Sequence, residues 1–322
     1  MSDQAPATVL SRRTLLVSAA SGLALAACGG SSDGADGGTP TPDATTTPVA
    51  SGADSVQAQV LAAAGLESAE VRLAPQLTWG ELIVAPDQYL QFVVPDMAAD
   101  GALVTTPVQL WLVDDTGTVV VGPMESTWYP DDRLPSGGLH SVAVTVDAPG
   151  VLDVVVAADD ATAAGTAAIQ AMNAADSLAP GPGEVIPPMS TPTVDDPQGL
   201  EALCTREPDC DLHAMTLADA LAAGPTVLCI ATPAFCSSAI CGPVLDDVLS
   251  VADSGAFPDV QFVHVEPFVD AGVTVTPIME ELALPSEPWT FVLAPDGTIV
   301  QRFPGPVVPE ILDDILAGMP TT

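Results

Sequence analysis

The chain has no lysine. Its 322 residues carry 6 cationic side chains, all arginine, against 42 Asp and Glu, for a formal charge of −36. Removing residues 1–27 takes away one Asp and two Arg and leaves 41 acids against 4 arginines, about −37. A field of that sign repels polyanions, which excludes nucleic acid and anionic membrane surfaces as partners. It suits a solvated acidic surface in high salt or alkaline surroundings. The apolar run from Thr14 to Ala27 is too short to cross a bilayer, which needs about 20 residues of helix. The two-residue spacing of a Cys-X-X-Cys pair is also missing, so dithiol chemistry would have to use another arrangement.

The N-terminal 28 residues read as a targeting segment. A Ser-Arg-Arg stretch precedes the apolar run, which ends in small residues at Leu25-Ala26-Ala27-Cys28. The pattern resembles a twin-arginine export signal joined to a bacterial lipobox. That resemblance implies a lipid on Cys28, a mature chain held at the cell membrane on its extracytoplasmic side, and passage across the membrane in folded form. Residues 29–65 are mostly Gly, Ser, Thr, Pro and Asp, which cannot bury a core, and read as a disordered tether with a short helix over 56–64.

Residues 66–172 show short β-type runs, VRLA, ELIVA, YLQFVV, VQLWLVDD, TVVVG, HSVAVTVD and VLDVVVAA, separated by Pro, Gly and Asp turns. Seven such runs predict an all-β sandwich of immunoglobulin type, and the stretch resembles the Ig-like modules of exported bacterial lipoproteins. No catalytic constellation stands out in it. His140 reads as a solvated strand-end residue, because no second ligand-type residue is near it in sequence. Trp79, Trp111, Trp128 and Tyr129 read as core and rim aromatics, with Trp128-Tyr129-Pro130 on a loop as the candidate contact patch. Residues 173–200 are proline-rich and aperiodic, and predict a semi-rigid linker.

Residues 201–320 read as α/β. Thr216 can N-cap a helix over Leu217–Ala223 that Gly224 ends. Thr226–Ala231 is a buried-type strand, followed by a cysteine-bearing turn and a helix with Val244, Leu245, Val248, Leu249 and Val251 at helical spacing. A strand over 260–266, a helix over 278–283, a hairpin turning at Pro295-Asp296-Gly297-Thr298 and a closing helix over 307–316 complete the pattern. Proline suits a first helical turn and breaks an interior, so Pro243 places the helix start near Gly242, with Cys241 at its head and Cys236 in the loop before it. A cysteine at a helix N-terminus meets unpaired N–H groups and the positive dipole end, so Cys241 is expected to be the more acidic of the two.

Cys204 and Cys210 are most simply a structural disulfide in an exported protein. A metal site of Cys204, Cys210, His213 and Met215 is the competing reading, set back by the five-residue gap between the cysteines. Cys229, in mid-strand, reads as a free buried thiol. No cofactor is called for, and no metal is assigned.

The order strand, cysteine turn, helix, together with Glu287-Pro288 before a strand and the Asp296-Gly297 hairpin, resembles the thioredoxin-like fold over about Leu212 to Leu316. Cys241-Gly242-Pro243-Val244 resembles the family's Cys-Gly-Pro-Cys with Val244 in place of the last cysteine, while Cys236 stands where the attacking cysteine stands when positions are counted from the strand end. The resemblance implies a Cys236–Cys241 disulfide, thiol–disulfide oxidoreductase activity on exported client proteins, and a cis proline at Pro288. The family's buried acid is absent from Thr226–Ala231, so Glu266 or His264 is the candidate proton acceptor. Two other readings stay open. One is a redox-inert binding lipoprotein with Cys236–Cys241 as a staple. The other is a module resembling Sco-type copper proteins, with Cys236, Cys241 and His264 as ligands.

Overall fold

Between residues 70 and 172 the regular structure is almost all strand. After α1 (Gly52–Ala63) come β1 (Glu70–Val71), β2 (Gln76–Leu77), β3 (Glu81–Ile83), β4 (Gln88–Val93), β5 (Pro95–Asp96), β6 (Ala102–Leu103), β7 (Val108–Asp114), β8 (Val119–Glu125), β9 (Thr127–Pro130), β10 (Gly138–Val144), β11 (Gly150–Ala158) and β12 (Ala163–Met172). The second half alternates: α2 (Leu217–Ala223), β13 (Thr226–Ile230), α3 (Cys241–Asp253), β14 (Gln261–Val265), α4 (Pro277–Glu281), β15 (Trp289–Leu293), β16 (Ile299–Pro304) and α5 (Pro309–Gly318). The structure, a computed structural model, describes residues 52–319. The export signal, the lipid-bearing Cys28 and most of the tether expected from the sequence lie outside the described residues.

Side-chain alternation along the strands sets the layers. One sheet runs β1-β12-β11-β7-β8 with β3 also beside β12, and a second runs β2-β4-β10-β9. Leu110 and Leu112 of β7 and Val154 and Val156 of β11 face Leu90, Phe92, Val142 and Val144 of the second sheet. The intervening Val113 and Val155 point the other way and pack with Val60 and Leu61 of α1. The chain is thus β-rich with several sheets.

β12 was not expected, because its sequence AAGTAAIQAM is poor in strand formers. Its small residues fit the site: the Leu73 backbone passes so close over Gly165 that no Cβ has room there. Two further expectations are corrected. His140 is fully buried, not solvated; its Nδ1 lies 3.0 Å from Ser126 Oγ, its Nε2 2.8 Å from Val104 O, and its ring stacks on Phe92. Trp128 and Tyr129 belong to β9, paired with β10, rather than to a loop.

The second half forms one sheet, β14-β13-β15-β16, with β13 parallel to β14 and antiparallel to β15. All five residues of β13 are buried, since both faces are covered. Leu228, Ile230, Val263 and Val265 face α2 and α4, while Val227 and Cys229 face α3 and α5. The remaining side of α3 and α5 is covered by the outer face of the β10 sheet, through Leu139, Tyr89 and Tyr129. Arg133 also pairs with Asp247 of α3 across this boundary, and the described residues form one compact unit.

The stretch 173–200 is packed rather than free. Ile186 is fully buried, its N–H donates to Gly297 O at 2.9 Å, and Ile299 N–H donates to Glu184 O at 2.8 Å. Buried Arg302 donates to Ala179 O at 2.9 Å and pairs with Glu81 of β3 at 2.5 Å, tying β16 to the first half. The prolines limit the stretch's freedom, but the apolar residues between them anchor it.

Candidate functional site

The five cysteines among the described residues are thiols, so neither expected disulfide is present as a covalent bridge. Four of them fall into two clusters at the same end of the β13–β16 sheet. The fifth, Cys229, sits fully buried in mid-β13, where desolvation pushes its pKa up to about 12.

The first cluster is Cys236, Cys241 and Glu287, whose ligand atoms lie within 4.8 Å of one another. α3 begins at Cys241, as Pro243 implied, and its N-cap residue Ile240 has no side chain that can accept a hydrogen bond. Cys236 Sγ fills that role by accepting the Cys241 N–H at 3.3 Å. The loop reaches this position with Ala239 in the left-handed region, φ 59°, which folds the four-residue spacer back on itself. Ser238 Oγ lies 3.2 Å from the same sulfur.

The expected order of acidity is reversed. Cys236 is partly exposed and its pKa is lowered to about 4, first by the Cys241 thiol donating to it and then by Ser238 and the backbone N–H groups of α3. Cys241 is fully buried; serving as the donor to Cys236 and losing solvent both push its pKa up. Standing first in the helix matters less than which sulfur accepts: Cys236 takes hydrogen bonds from the Cys241 thiol and N–H, while Cys241 is the buried donor.

Sequence reasoning overlooked Glu287. It was noted only as the residue before Pro288, yet its carboxyl sits beside both sulfurs, with its pKa raised by burial and then by the Cys236 charge. The Glu287–Pro288 peptide is cis. Glu266 and His264, the expected acceptors, are engaged elsewhere. Glu266 is buried and accepts the Thr205 N–H at 2.7 Å and its hydroxyl at 2.8 Å.

The second cluster joins Cys204, Cys210, His213 and His264, all buried. His264 has the stronger claim on this cluster than on Cys236 and Cys241, so the three-ligand copper set does not assemble. Met215 packs instead on the α2 side of the sheet. His264 Nε2 lies 2.9 Å from Ala231 O, a contact that needs an N–H, so its Nδ1 carries the lone pair. That Nδ1 lies 3.4 Å from Cys210 Sγ, 3.9 Å from Cys204 Sγ and 3.0 Å from His213 Nε2, and the two sulfurs are 3.8 Å apart. His213 Nδ1 is buried without a partner. Cys204 is held well below the usual thiol pKa, chiefly by its hydrogen bond with Cys210.

The loop that carries Cys204, Cys210 and His213 is fastened at several points. Arg206 pairs with Asp246 of α3 at 2.8 Å, and His264 N–H donates to Leu212 O at 3.0 Å. Thr205 Oγ1 also accepts the Ala234 N–H at 3.1 Å, which links this loop to the one holding Cys236.

No protein-family model matches the chain, and no curated protein does. Among solved structures, one titled "Structure of Titin M4 trigonal form" aligns over 32% of this chain and 99% of its own, at 12% identity and a TM-score of 0.17. Another, "ZirS C-terminal Domain", aligns over 44% of this chain and 86% of its own, at 10% identity and a TM-score of 0.19. Neither alignment carries an argument about fold or function at those scores.

Proposed function

We propose that this chain is a membrane-anchored, extracytoplasmic thiol–disulfide exchange protein, with an Ig-like first half and a thioredoxin-like second half, that acts through Cys236 and Cys241. The observation that carries the reading is the seating of a partly exposed cysteine sulfur at the head of α3, where it accepts the Cys241 N–H, with a buried thiol donating to it. That arrangement stabilises a thiolate, the form that attacks a disulfide.

In the reducing direction, the Cys236 thiolate attacks one sulfur of a client disulfide and the other leaves as a thiolate. Glu287 takes the Cys241 proton, and the Cys241 thiolate then attacks Cys236, which releases the second client thiolate. The client gains two electrons and, with solvent, two protons, while Cys236 and Cys241 become a disulfide. In the oxidising direction every step reverses. A reduced form stabilised by a low-pKa thiolate favours oxidation of the client.

The test is a redox titration of the Cys236/Cys241 pair in glutathione buffers. A midpoint between about −120 and −270 mV, toward the oxidising end, is expected of an exchanger, and a value below about −300 mV makes the pair a permanent staple and overturns the proposal. Phe235, beside the nucleophile, is 40% exposed and lines a cavity of about 250 Å³ with Thr205, Glu266 and Phe268, which offers an apolar client segment a place to rest.

A further inference from the structure

We infer that Cys204, Cys210, His213 and His264 form a closed four-ligand site for a divalent zinc ion, separate from the dithiol. The four donor atoms converge on one point from a loop and a strand 51 to 60 residues apart, and all four side chains are at most 9% exposed. A tetrahedral zinc with bonds of about 2.3 Å to sulfur and about 2.05 Å to nitrogen has edges of about 3.8 Å between sulfurs, about 3.6 Å between sulfur and nitrogen and about 3.3 Å between nitrogens. Four of the six edges are 3.8 Å between the sulfurs, 3.4 and 3.9 Å from them to His264 and 3.0 Å between the nitrogens, and the two from the sulfurs to His213 are within 4.8 Å.

The surroundings agree with that geometry. His264 donates its other ring N–H to the Ala231 carbonyl, the arrangement that orients a metal-bound imidazole and directs its lone pair at the ion. Two thiolates and a divalent cation make a neutral group, which suits a pocket lined by apolar residues of α3 and β13. With no open fourth position, the role is structural: the ion fastens the loop over residues 204–213 to β14. Tetrahedral sets of two sulfurs and two nitrogens favour zinc over calcium or magnesium, which take oxygen ligands.

The test uses the full chain with its thiols kept reduced. Zinc is counted by plasma mass spectrometry, and cobalt(II) serves as a coloured replacement. One equivalent of zinc per chain is expected, and the cobalt form should show thiolate charge-transfer bands with the intense visible bands of tetrahedral cobalt. Cys204→Ser and His213→Asn should lose the ion, while Cys236→Ser should keep it, which separates this site from the dithiol. Should the ligand variants fail to fold, the wild-type chain still decides: iodoacetamide should label Cys204 and Cys210 only after a chelator has removed one equivalent of zinc. A folded, reduced chain that binds no equivalent, an octahedral cobalt spectrum, or a Cys204–Cys210 disulfide that persists in mild reductant would overturn the inference.

Discussion

The two cysteine clusters sit at one end of the same sheet and share a hydrogen-bonded loop contact, yet their surroundings differ in exposure and in chemistry. Around Cys236 the sulfur is partly open to solvent, its neighbours are a hydroxyl, a helix end and an acid, and the spacer is a turn. Around Cys204 the sulfurs are closed in, and their neighbours are two imidazoles with a ring nitrogen of each turned inward. On the two proposals the same residue type would serve a reactive and a fastening role, and the difference lies in exposure and in what stands opposite the sulfur. A carboxyl beside a dithiol can move a proton, whereas imidazoles beside a dithiol complete a coordination shell.

The sharpest way to break this comparison is Cys236→Ser. It is expected to abolish exchange with a fluorescent glutathione disulfide and to leave the zinc content unchanged; residual turnover at the wild-type rate would move the nucleophile elsewhere. Next in size is His264→Ala, which opens a void in the core and unties the 204–213 loop. Urea unfolding should report a loss of about 3 to 4 kcal/mol, and a loss below about 1 kcal/mol would count against a fastening cluster. Glu287→Gln is expected to slow the second step, resolution of the mixed disulfide, about a hundredfold while leaving the first step unchanged. Stopped-flow decay of the mixed disulfide separates the two.

A smaller effect concerns pH. In the reduced chain the Cys236 pKa falls to about 4 on folding, from about 8.5 in an unfolded chain. Between those values the unfolded state binds more protons, so stability rises with pH across that window and the contribution is lost as pH falls through about 4. The reduced wild type should show this slope, and both the oxidised form and Cys236→Ser should lack it. A thermal-melt series without that difference would sink the thiolate assignment. Smallest is the response to salt. The four arginines among the described residues are all in ion pairs with acids, which leaves a large excess of acids unpaired. Shrinking the Debye length from ~10 Å at 0.1 M to ~3 Å at 1 M should raise the melting temperature by several degrees and speed Cys236 labelling by an anionic disulfide. Zinc retention at the buried cluster should not change.

Local rules made part of the site legible. Pro243 placed the start of α3 because a proline ring cannot sit inside a helix, and Thr216 was a readable cap whose hydroxyl accepts the Asp219 N–H at 3.1 Å. The hairpin of β15 and β16 followed from Asp296-Gly297, with Gly297 at φ 83°. The order of acidity within the dithiol was misread because charge at a helix end depends on where the sulfur lies relative to the N–H groups, and sequence position does not specify that. Glu287 escaped notice because 46 residues separate it from Cys241, and only the pairing of β13 with β15 brings them together.

What the sequence by itself determined is the set of short-range features: the charge, the strand-turn-helix around Cys241, the caps and the hairpin, each set by steric or hydrogen-bonding preferences of residues a few positions apart. Only the tertiary structure decided that His264 meets Cys204 and Cys210, that Ala-rich β12 is a strand, that His140 is buried, and that the proline-rich stretch 173–200 is packed. Each of these depends on the backbone of a distant segment closing over the residue. The energy that selects it is burial and long-range pairing, which leave little trace in local sequence.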